Sequence, residues 1–179
     1  LPDAFVVHIG ANDGITNDPL YPFFMQTNWH GILIEPVKTI YNRLVDNYKS
    51  MQQWVFENTL IADANQDFDF YYYDIDDDYF QYSTLNRKIL LHYKWEKIPD
   101  IENQMKKEKK TAITINDIIK KYEITKIDLL RINTVGYEYP ILKSMFPTNC
   151  PTVILFSNIH LQNKYKKIYK LLKTNGYIT

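Results

Sequence analysis

One stretch near the start of the chain, Phe5–Gly14, constrains the fold more than any other. Phe5–Ile9 is rich in β-forming residues and has almost no charge, as expected for a strand buried on both faces of a parallel sheet. Gly10 follows directly, and glycine permits turn angles and a close ligand approach that other residues forbid. Asp18-Pro19 then predicts the start of a helix, with Asp18 as the N-cap. Strand, glycine turn and helix together predict the nucleotide-binding corner of a doubly wound α/β sheet.

The glycine spacing in this turn favours a nucleoside ligand over a dinucleotide. A dinucleotide fingerprint has a middle glycine that admits a pyrophosphate, and Asn12 occupies that position here. Gly10 and Gly14 instead frame a G-x-x-x-G loop, which suits a smaller ligand without phosphate. A second apolar segment, Gly31–Ile34, ends in Glu35, whose carboxylate can accept both ribose hydroxyls. Loop and acid indicate S-adenosylmethionine; the alternative is a glycine turn of another α/β protein, with Glu35 at its surface.

The predicted cofactor site combines this turn with the ends of the next two strands. Trp54–Asn58 predicts the third strand, so Asn58 stands at a carboxyl end, on the ligand side of such a sheet. Its amide either contacts the adenosine or only caps a turn. The candidate cofactor-binding residues are His8, Gly10, Ala11, Asn12, Asp13, Gly14, Glu35, Pro36 and Asn58.

Length and charge limit the possible classes of protein. The chain of 179 residues is expected to form one domain, and its net charge of zero predicts no broad attraction to nucleic acid or membrane. Among enzymes that use S-adenosylmethionine, a nucleic-acid methyltransferase is therefore the least favoured. The single Cys150 excludes an internal disulfide and favours a reducing, cytoplasmic location. No apolar stretch approaches the ~20 residues of a bilayer span, and a targeting segment removed before Leu1 stays an open alternative.

Strands alternate with helices along most of the chain. Beyond the strands already described, the pattern predicts strands at Asp67–Tyr73, Lys126–Asn133 and Thr152–Phe156, and helices at Pro19–Trp29, Val37–Tyr48, Thr114–Tyr122, Tyr137–Met145 and Lys164–Lys173. For the helix at 114–122, either Thr114 or Asn116 is the expected cap. This alternation predicts an α/β, Rossmann-like fold whose mainly parallel sheet lies in a three-layer α/β/α sandwich.

Residues 74–110 interrupt the alternation. The segment opens with an acidic run, Asp74–Asp78, and closes with a basic run, Lys106–Lys110, while Asn86–Trp95 predicts a helix. The acidic run lacks the loop of a calcium hand, so a solvated linker is favoured over a cation site, and no metal ligands are assigned. An insertion at this point would hang over the carboxyl ends of the strands. We therefore expect a lid or acceptor-binding insertion at 74–110 within a single domain, 1–179.

Three segments, in order along the chain, carry a family resemblance. They are Val7–Gly14 with Asn17–Leu20, Gly31–Val37 and Ile127–Glu138, and the tail Asn175–Tyr177 also fits. With them the whole chain resembles the FkbM family of S-adenosylmethionine-dependent methyltransferases. The resemblance implies a Rossmann-like class I methyltransferase that transfers a methyl group to a hydroxyl of a sugar, glycan or related small molecule. Such sheets normally continue into a C-terminal hairpin, which is expected to be truncated here.

The chain departs from the family pattern where the acceptor is expected. The family's fourth strand normally ends in an aspartate, with a glutamate two residues later, and here Asn133 and Val135 hold those positions. After the fifth strand the family usually has an acid shortly before a histidine, whereas Ser157 and Asn158 precede His160. General acid–base catalysis contributes about 10²–10⁴ in rate, so these differences would nearly silence a hydroxyl methyltransferase.

Three residues remain as catalytic candidates. His160 and Glu138 are the ionisable groups left on the ligand side, and Asn133 stands where the family has its aspartate. His160 suits a general base because its ordinary pKa is near neutrality, although a structural hydrogen bond would equally account for it. Glu138 would also be favoured by the helix dipole alone. Two functions follow: an O-methyltransferase with a small-molecule or glycan acceptor, or a catalytically weakened cofactor-binding relative that serves as a regulatory or interaction module.

Overall fold

A computed structural model of the chain describes residues 2–73, 82–92, 101–161 and 164–179. The strands are β1 (Phe5–Ile9), β2 (His30–Ile34), β3 (Trp54–Glu57), β4 (Leu60–Ala62), β5 (Asp67–Tyr73), β6 (Ser83–Thr84), β7 (Met105–Thr114), β8 (Leu129–Ile132) and β9 (Val153–Phe156). The helices are α1 (Tyr21–Gln26), α2 (Lys38–Asn47), α3 (Arg87–His92), α4 (Ile101–Gln104), α5 (Ile115–Lys121), α6 (Glu138–Met145) and α7 (Tyr165–Thr174).

The central sheet is parallel throughout and has the strand order β3-β2-β1-β8-β9. The order reverses between β1 and β8, and in open α/β sheets ligands bind in the crevice at the carboxyl ends beside such a reversal. The register aligns His8 with Arg131 and Ile9 with Ile132. The Rossmann-like arrangement predicted from the sequence is therefore confirmed.

Alternate residues of the central strands point to two separate apolar clusters. Val7 and Leu130 pack with α5, α6 and α7 on one face, whereas Val6 and Leu129 pack with α1 and α2 on the other. Phe24, from α1, is 1% exposed and contacts the rings of Trp54 and Tyr48. Helices thus cover both faces of the sheet, which gives the expected three layers. None of the helices in the described part of the chain combines the length and apolarity that a bilayer span requires.

A second sheet, with the order β4-β7-β5-β6, was only partly predicted. β5 was expected, but Lys106–Lys110 was assigned to a charged linker, and this was wrong because those lysines belong to β7. The strand tolerates them because Asp69 on β5 pairs with Lys107 at 2.8 Å and with Lys109 at 3.2 Å, and such cross-strand pairs stabilise a sheet. The acidic run Asp74–Asp78 lies outside the described residues. Of the helix predicted over 86–95, the described part is α3.

Helix starts also differ from the predictions in detail. α1 begins at Tyr21 rather than at Pro19, and Asp18 accepts a hydrogen bond from the Leu20 backbone at 2.9 Å, so it orders the turn before the helix. For α5 the structure decides between the two proposed caps. The Thr114 hydroxyl accepts from the Asp117 backbone at 3.2 Å, and the Asp117 carboxylate accepts from the Thr114 backbone at 2.9 Å, which is a capping box.

Candidate active site

A cleft lies at the carboxyl ends of β1, β2 and β8. One wall consists of these strand ends, the turn after β1 and the loop before α1. The opposite wall comes from the second sheet, which contributes Ile61 of β4, Phe70 of β5 and residues 82–85 around β6. Of the predicted site residues, seven line this one cleft: His8, Gly10, Ala11, Asn12, Glu35, Pro36 and Asn133.

Glu35 is the buried acid at the end of β2. Its Oε2 accepts a hydrogen bond from the Asn12 backbone at 3.0 Å, and its Oε1 accepts from the Val37 backbone at 2.9 Å. Burial raises the pKa of this carboxyl to about 7, although both hydrogen bonds and the nearby Lys110 charge act in the opposite direction. Each oxygen keeps a further lone pair, so the carboxylate can still accept hydrogen bonds from a ligand in the cleft.

The turn after β1 is held by β2 and β8. Gly10 and Ala11 both donate to the Ile34 carbonyl at 2.9 Å. Gly10 has a φ of +75°, and a Cβ there would lie 2.1 Å from the Asn133 carbonyl oxygen. We expected glycine at this position because it allows a ligand to approach closely. The structure adds a second reason, since the backbone at the end of β8 leaves no room for a side chain. Asn12 also has a positive φ, of 55°, a conformation that asparagine tolerates.

Three polar side chains cluster in the cleft beside β1 and β8. His8 Nδ1 lies 3.6 Å from Asp18 Oδ2, which is too long for a hydrogen bond. Both His8 ring nitrogens, Asp18 Oδ2 and the Nε of Arg131 are buried without a hydrogen-bond partner among the described residues. Burial and the Arg131 charge lower the pKa of His8 to about 3, and burial raises the pKa of Asp18 to about 6. Because buried polar atoms are normally paired, this cluster indicates a polar ligand.

Sequence reasoning missed two members of this cluster. Asp18 was interpreted only as a helix cap, and Arg131 only as part of a strand. A signal was present, because Arg131 is the one charged residue of β8, a strand whose four residues are all buried. What the sequence does not display is that residues 8, 18 and 131 line one cleft, which depends on the pairing of β1 with β8.

The described residues that line the end of the cleft beside the β8–α6 loop carry no charge. It is lined by Asn133, Val135, Tyr137, Tyr82 and Thr84. Val135 has a φ of +51°, which is an outlier for a β-branched residue. The Thr84 hydroxyl donates to the Val135 carbonyl at 2.8 Å, so the second sheet is fastened to this loop. Strained backbone held by its surroundings is concentrated at functional sites.

Three of the predicted cofactor residues support the cleft without lining it. Asp13 accepts from the Ile15 and Thr16 backbones at 2.9 and 2.7 Å. The Gly14 carbonyl accepts from the Tyr48 hydroxyl at 2.6 Å. The Asn58 side chain donates to the Glu35 carbonyl at 2.8 Å and to the Pro36 carbonyl at 3.2 Å, so it braces the end of β2. This contact corresponds to the turn-capping alternative for Asn58.

A family model described as the methyltransferase FkbM domain matches residues 8–179. The chain belongs to the FkbM methyltransferase family. Searches of curated proteins and of solved structures returned no match. The match covers the cleft and both of its walls, so the FkbM domain is a methyltransferase domain in which the residues described above form the candidate active site.

The two ionisable catalytic candidates of this FkbM domain lie beside the cleft rather than in its lining. Glu138 is fully buried, and its Oε1 accepts from the Thr134 and Gly136 backbones at 2.9 and 3.3 Å. It therefore orders the β8–α6 loop, and burial raises its pKa. The His160 ring packs edge-on against Tyr82 with 5.8 Å between centroids, and burial lowers its pKa. His160 thus contacts Tyr82, which lines the cleft.

The described residues contain no group of three His, Cys, Asp or Glu side chains placed to hold a metal ion. The polar groups of the described lining are carboxylates, amides, hydroxyls, one imidazole and one guanidinium.

Proposed function

We propose that this FkbM domain is an S-adenosylmethionine-dependent O-methyltransferase whose acceptor is a hydroxyl of a sugar, a glycan or a related neutral small molecule. The observation that carries the proposal is the division of the cleft. One end holds Glu35 together with Asp18 and Arg131, each of which has one buried polar atom without a partner, whereas the described residues at the other end carry no charge. A charged nucleoside cofactor and a neutral acceptor would each find a matching end.

The cofactor end of the cleft has groups that suit both the nucleoside and the amino-acid portion of S-adenosylmethionine. Glu35 would accept the ribose hydroxyls, and Ala11, Asn12 and Pro36 would border the nucleoside. At the amino-acid end, Asp18 would accept from the ammonium group and Arg131 would donate to the carboxylate, which would supply partners to atoms that now have none. When bound, the cofactor supplies a methyl group on a positively charged sulfur, a strong electrophile.

The acceptor end suits a polyhydroxylated molecule. The Asn133 amide offers both donors and an acceptor to a hydroxyl, and the Tyr82 and Tyr137 rings offer apolar faces. The described lining at this end holds no cation that would select a phosphate or a carboxylate. Orientation of the hydroxyl toward the methyl group is the main contribution expected from these residues, since positioning alone lowers a barrier substantially.

The acceptor hydroxyl must also lose its proton. We place the proton acceptor at His160, which is neutral near pH 7 because burial lowers its pKa, and which contacts Tyr82 in the lining. In this route the acceptor hydroxyl would pass its proton to the Tyr82 oxygen, while the Tyr82 hydroxyl proton would pass to His160. Glu138 is assigned a positioning role, because its Oε1 already accepts two backbone hydrogen bonds in the loop that carries Val135.

The described part of the predicted insertion is proposed to cover the acceptor end. Residues 82–92 hold Thr84, which is bonded to Val135, and Ile89, whose Cδ1 would lie 2.2 Å from a Cβ at Gly136. These contacts fasten the segment to the β8–α6 loop. We retain a single domain for residues 1–179, with this segment acting as an acceptor-binding element.

A second function has a specific observation in its favour. Asn133 and Val135 stand where the family resemblance leads us to expect acids, and the nearby Glu138 does not line the cleft. An amide and an aliphatic side chain accept no proton. A cofactor-binding relative with weak or no turnover, serving as a regulatory or interaction module, is therefore the alternative.

Calorimetric titration with S-adenosylhomocysteine tests the cofactor end first. Glu35→Ala should weaken binding by about 1.5–3 kcal/mol, the cost of losing hydrogen bonds to a charged group. Glu57→Ala is the matched control, because Glu57 ends the neighbouring strand β3 and pairs with Lys121 and Tyr122 rather than lining the cleft. Equal affinities for the two variants would contradict the assignment of Glu35.

Transfer of a labelled methyl group to a panel of glycans then separates the two functions. Turnover that is lost in both Tyr82→Phe and His160→Ala, with cofactor affinity retained, supports the enzyme and the proposed proton route. Cofactor binding without transfer to any acceptor supports the interaction module. Absence of cofactor binding in the unmodified chain would contradict both.

A further inference from the structure

The C-terminal part of the chain carries charge of one sign. All 21 acidic residues lie at or before Glu138, whereas six lysines follow it, so the last 41 residues carry a net charge of +6 and the first 138 carry −6. The zero net charge of the whole chain conceals this asymmetry. Segregated basic charge is typical of a surface that meets an anionic partner.

Five of these six lysines lie in or next to α7. The helix buries Ile168 and Leu172 against the core and turns its opposite side to solvent. Residues three and four positions apart share one face of a helix, so the spacing 166, 169, 170, 173 defines a continuous outer stripe. The stripe borders a single shallow depression and consists of Lys166, Tyr169, Lys170 and Lys173. We call it the α7 stripe.

In the described part of the chain, no acidic side chain pairs with the lysines of the α7 stripe. Among the described residues, the ion pairs involve lysines of other elements, for example Lys107 and Lys109 with Asp69, and none involves a lysine of α7. Lys167, at the side of the stripe, instead lies over the Tyr139 ring at 6.0 Å. The ammonium groups of the stripe thus face solvent and are available to an external anionic surface.

We propose that the α7 stripe binds the surface of a bilayer that contains anionic phospholipids. Clusters of four to eight basic residues on an amphipathic helix are typical of such binding, and the three lysines of the stripe reach this number together with Lys164 and Lys167. Each lysine near an anionic surface increases affinity by a factor of about five. The tyrosine within the stripe is 38% exposed, and tyrosine suits an interface because one end of it is apolar and the other is polar. This inference does not depend on the proposed enzymatic function.

Two features favour a lipid surface over a nucleic acid. No arginine follows Arg131, although arginine is the side chain that recognises phosphates and guanine in a bidentate manner. The exposed rings of Tyr165 and Tyr169 meet edge-on, at 6.1 Å and 81°, so they do not form a parallel platform on which successive bases would stack. Lysines without such a platform act as point charges, and a diffuse layer of lipid phosphates matches them.

Vesicle co-sedimentation of the whole chain tests this proposal. One vesicle preparation contains phosphatidylcholine alone, and the other contains phosphatidylcholine mixed with phosphatidylglycerol. The chain should bind the anionic vesicles and not the neutral ones, and added salt should weaken binding. The triple variant Lys166→Gln, Lys170→Gln, Lys173→Gln should bind anionic vesicles on the order of 100-fold more weakly, as three lysines at a factor of about five each require.

A matched control separates the location of the charges from their number. Lys49→Gln, Lys109→Gln, Lys120→Gln removes the same charge from exposed positions on other elements and should bind like the unmodified chain. Equal weakening in the two triple variants would overturn the assignment to α7. Tighter binding of the unmodified chain to an oligonucleotide than to anionic vesicles would overturn the choice of lipid, as would equal binding to both vesicle types. Circular dichroism of each variant confirms that the fold is retained.

Discussion

At the level of single residues, the charge state of Glu35 controls what the cofactor end can bind. Its pKa of about 7 lies above the ordinary value of 4.5 because the carboxyl is buried. Hydroxyl donors of a ribose bind best to the ionised carboxylate, whose fraction rises as the pH passes through 7. Affinity for S-adenosylhomocysteine should therefore increase between pH 6 and pH 8 and level off above that range, as measured by calorimetry in buffers of matched ionic strength.

Asp18 titrates nearby and has to be separated from Glu35. Its pKa of about 6 is also raised by burial, so it would account for a rise in affinity centred one unit lower. Glu35→Gln should abolish the component near pH 7, and Asp18→Asn should abolish the component near pH 6. A pH profile unchanged in both variants would show that neither carboxyl contacts the ligand.

Gly10 is a residue whose replacement should damage the fold directly. A Cβ there meets the Asn133 carbonyl oxygen at 2.1 Å, and a backbone atom cannot move aside as the end of a side chain can. Gly10→Ala should destabilise the chain by roughly 3–5 kcal/mol, near the upper end for point changes. Denaturant unfolding measures this, and loss of cofactor binding should accompany it.

Gly176 provides the matched comparison for Gly10. It also has a positive φ, of 85°, but a Cβ there would meet nothing within 4 Å. Gly176→Ala should therefore cost only the conformational penalty of a left-handed residue, about 1–2 kcal/mol. Similar losses for the two variants would indicate that the contact with Asn133 relaxes easily and that Gly10 is not required by packing.

At the level of elements, β6 and α3 are attached to the β8–α6 loop through Thr84 and Ile89. Thr84 is buried, and its hydroxyl donates a hydrogen bond to the Val135 carbonyl. Valine has the same shape as threonine but cannot donate this hydrogen bond. Thr84→Val should cost about 1–3 kcal/mol, because a buried carbonyl loses its partner. The loss should be local, so hydrogen exchange should speed up in residues 82–92 more than in the central strands.

The control for Thr84 is Thr111 on β7. Its hydroxyl also donates a hydrogen bond, to Asp67 at 2.6 Å, but the pair is exposed and water can replace it. Thr111→Val should change stability and exchange in residues 82–92 very little. Faster exchange throughout the chain in Thr84→Val would show that the segment folds together with the core and is not a separately attached cover.

At the level of the whole molecule, the sequence predicted what depends on local pattern. Apolar runs located β1, β2, β8 and β9, and helical spacing located α2, α6 and α7, so the Rossmann-like class followed directly. β7 was missed because its lysines resemble a solvated run, and only their pairing with Asp69 across the sheet makes them a strand. Asp18 and Arg131 were missed because they come into one cleft only when distant segments pack. The role expected of Glu138 changed for the same reason, since two backbone donors occupy its Oε1.

A variant with two substitutions at the end of β8 tests the activity of the whole FkbM domain. If acids at the end of β8 orient the acceptor or bind a cation, Asn133→Asp with Val135→Glu should raise methyl transfer to sugar acceptors or create metal dependence. Cofactor affinity should change little, because both positions lie at the acceptor end of the cleft. The new glutamate is not β-branched, so at a φ of +51° it should add no backbone strain beyond that of valine.

Two comparisons decide what the double variant means. The variant places new carboxylates near the buried Glu138, so its stability should fall by a modest ~0.5–3 kcal/mol, and activity has to be compared at a temperature where both forms are folded. Higher transfer in the double variant would show that the natural chain has a weakened acceptor end. Robust transfer by the unmodified chain that is abolished by His160→Ala, with no gain from the two acids, would show that the site uses histidine instead. Transfer that survives both His160→Ala and Glu138→Ala would contradict the proposed proton route, and the proton would then have to leave through a group of the cleft itself.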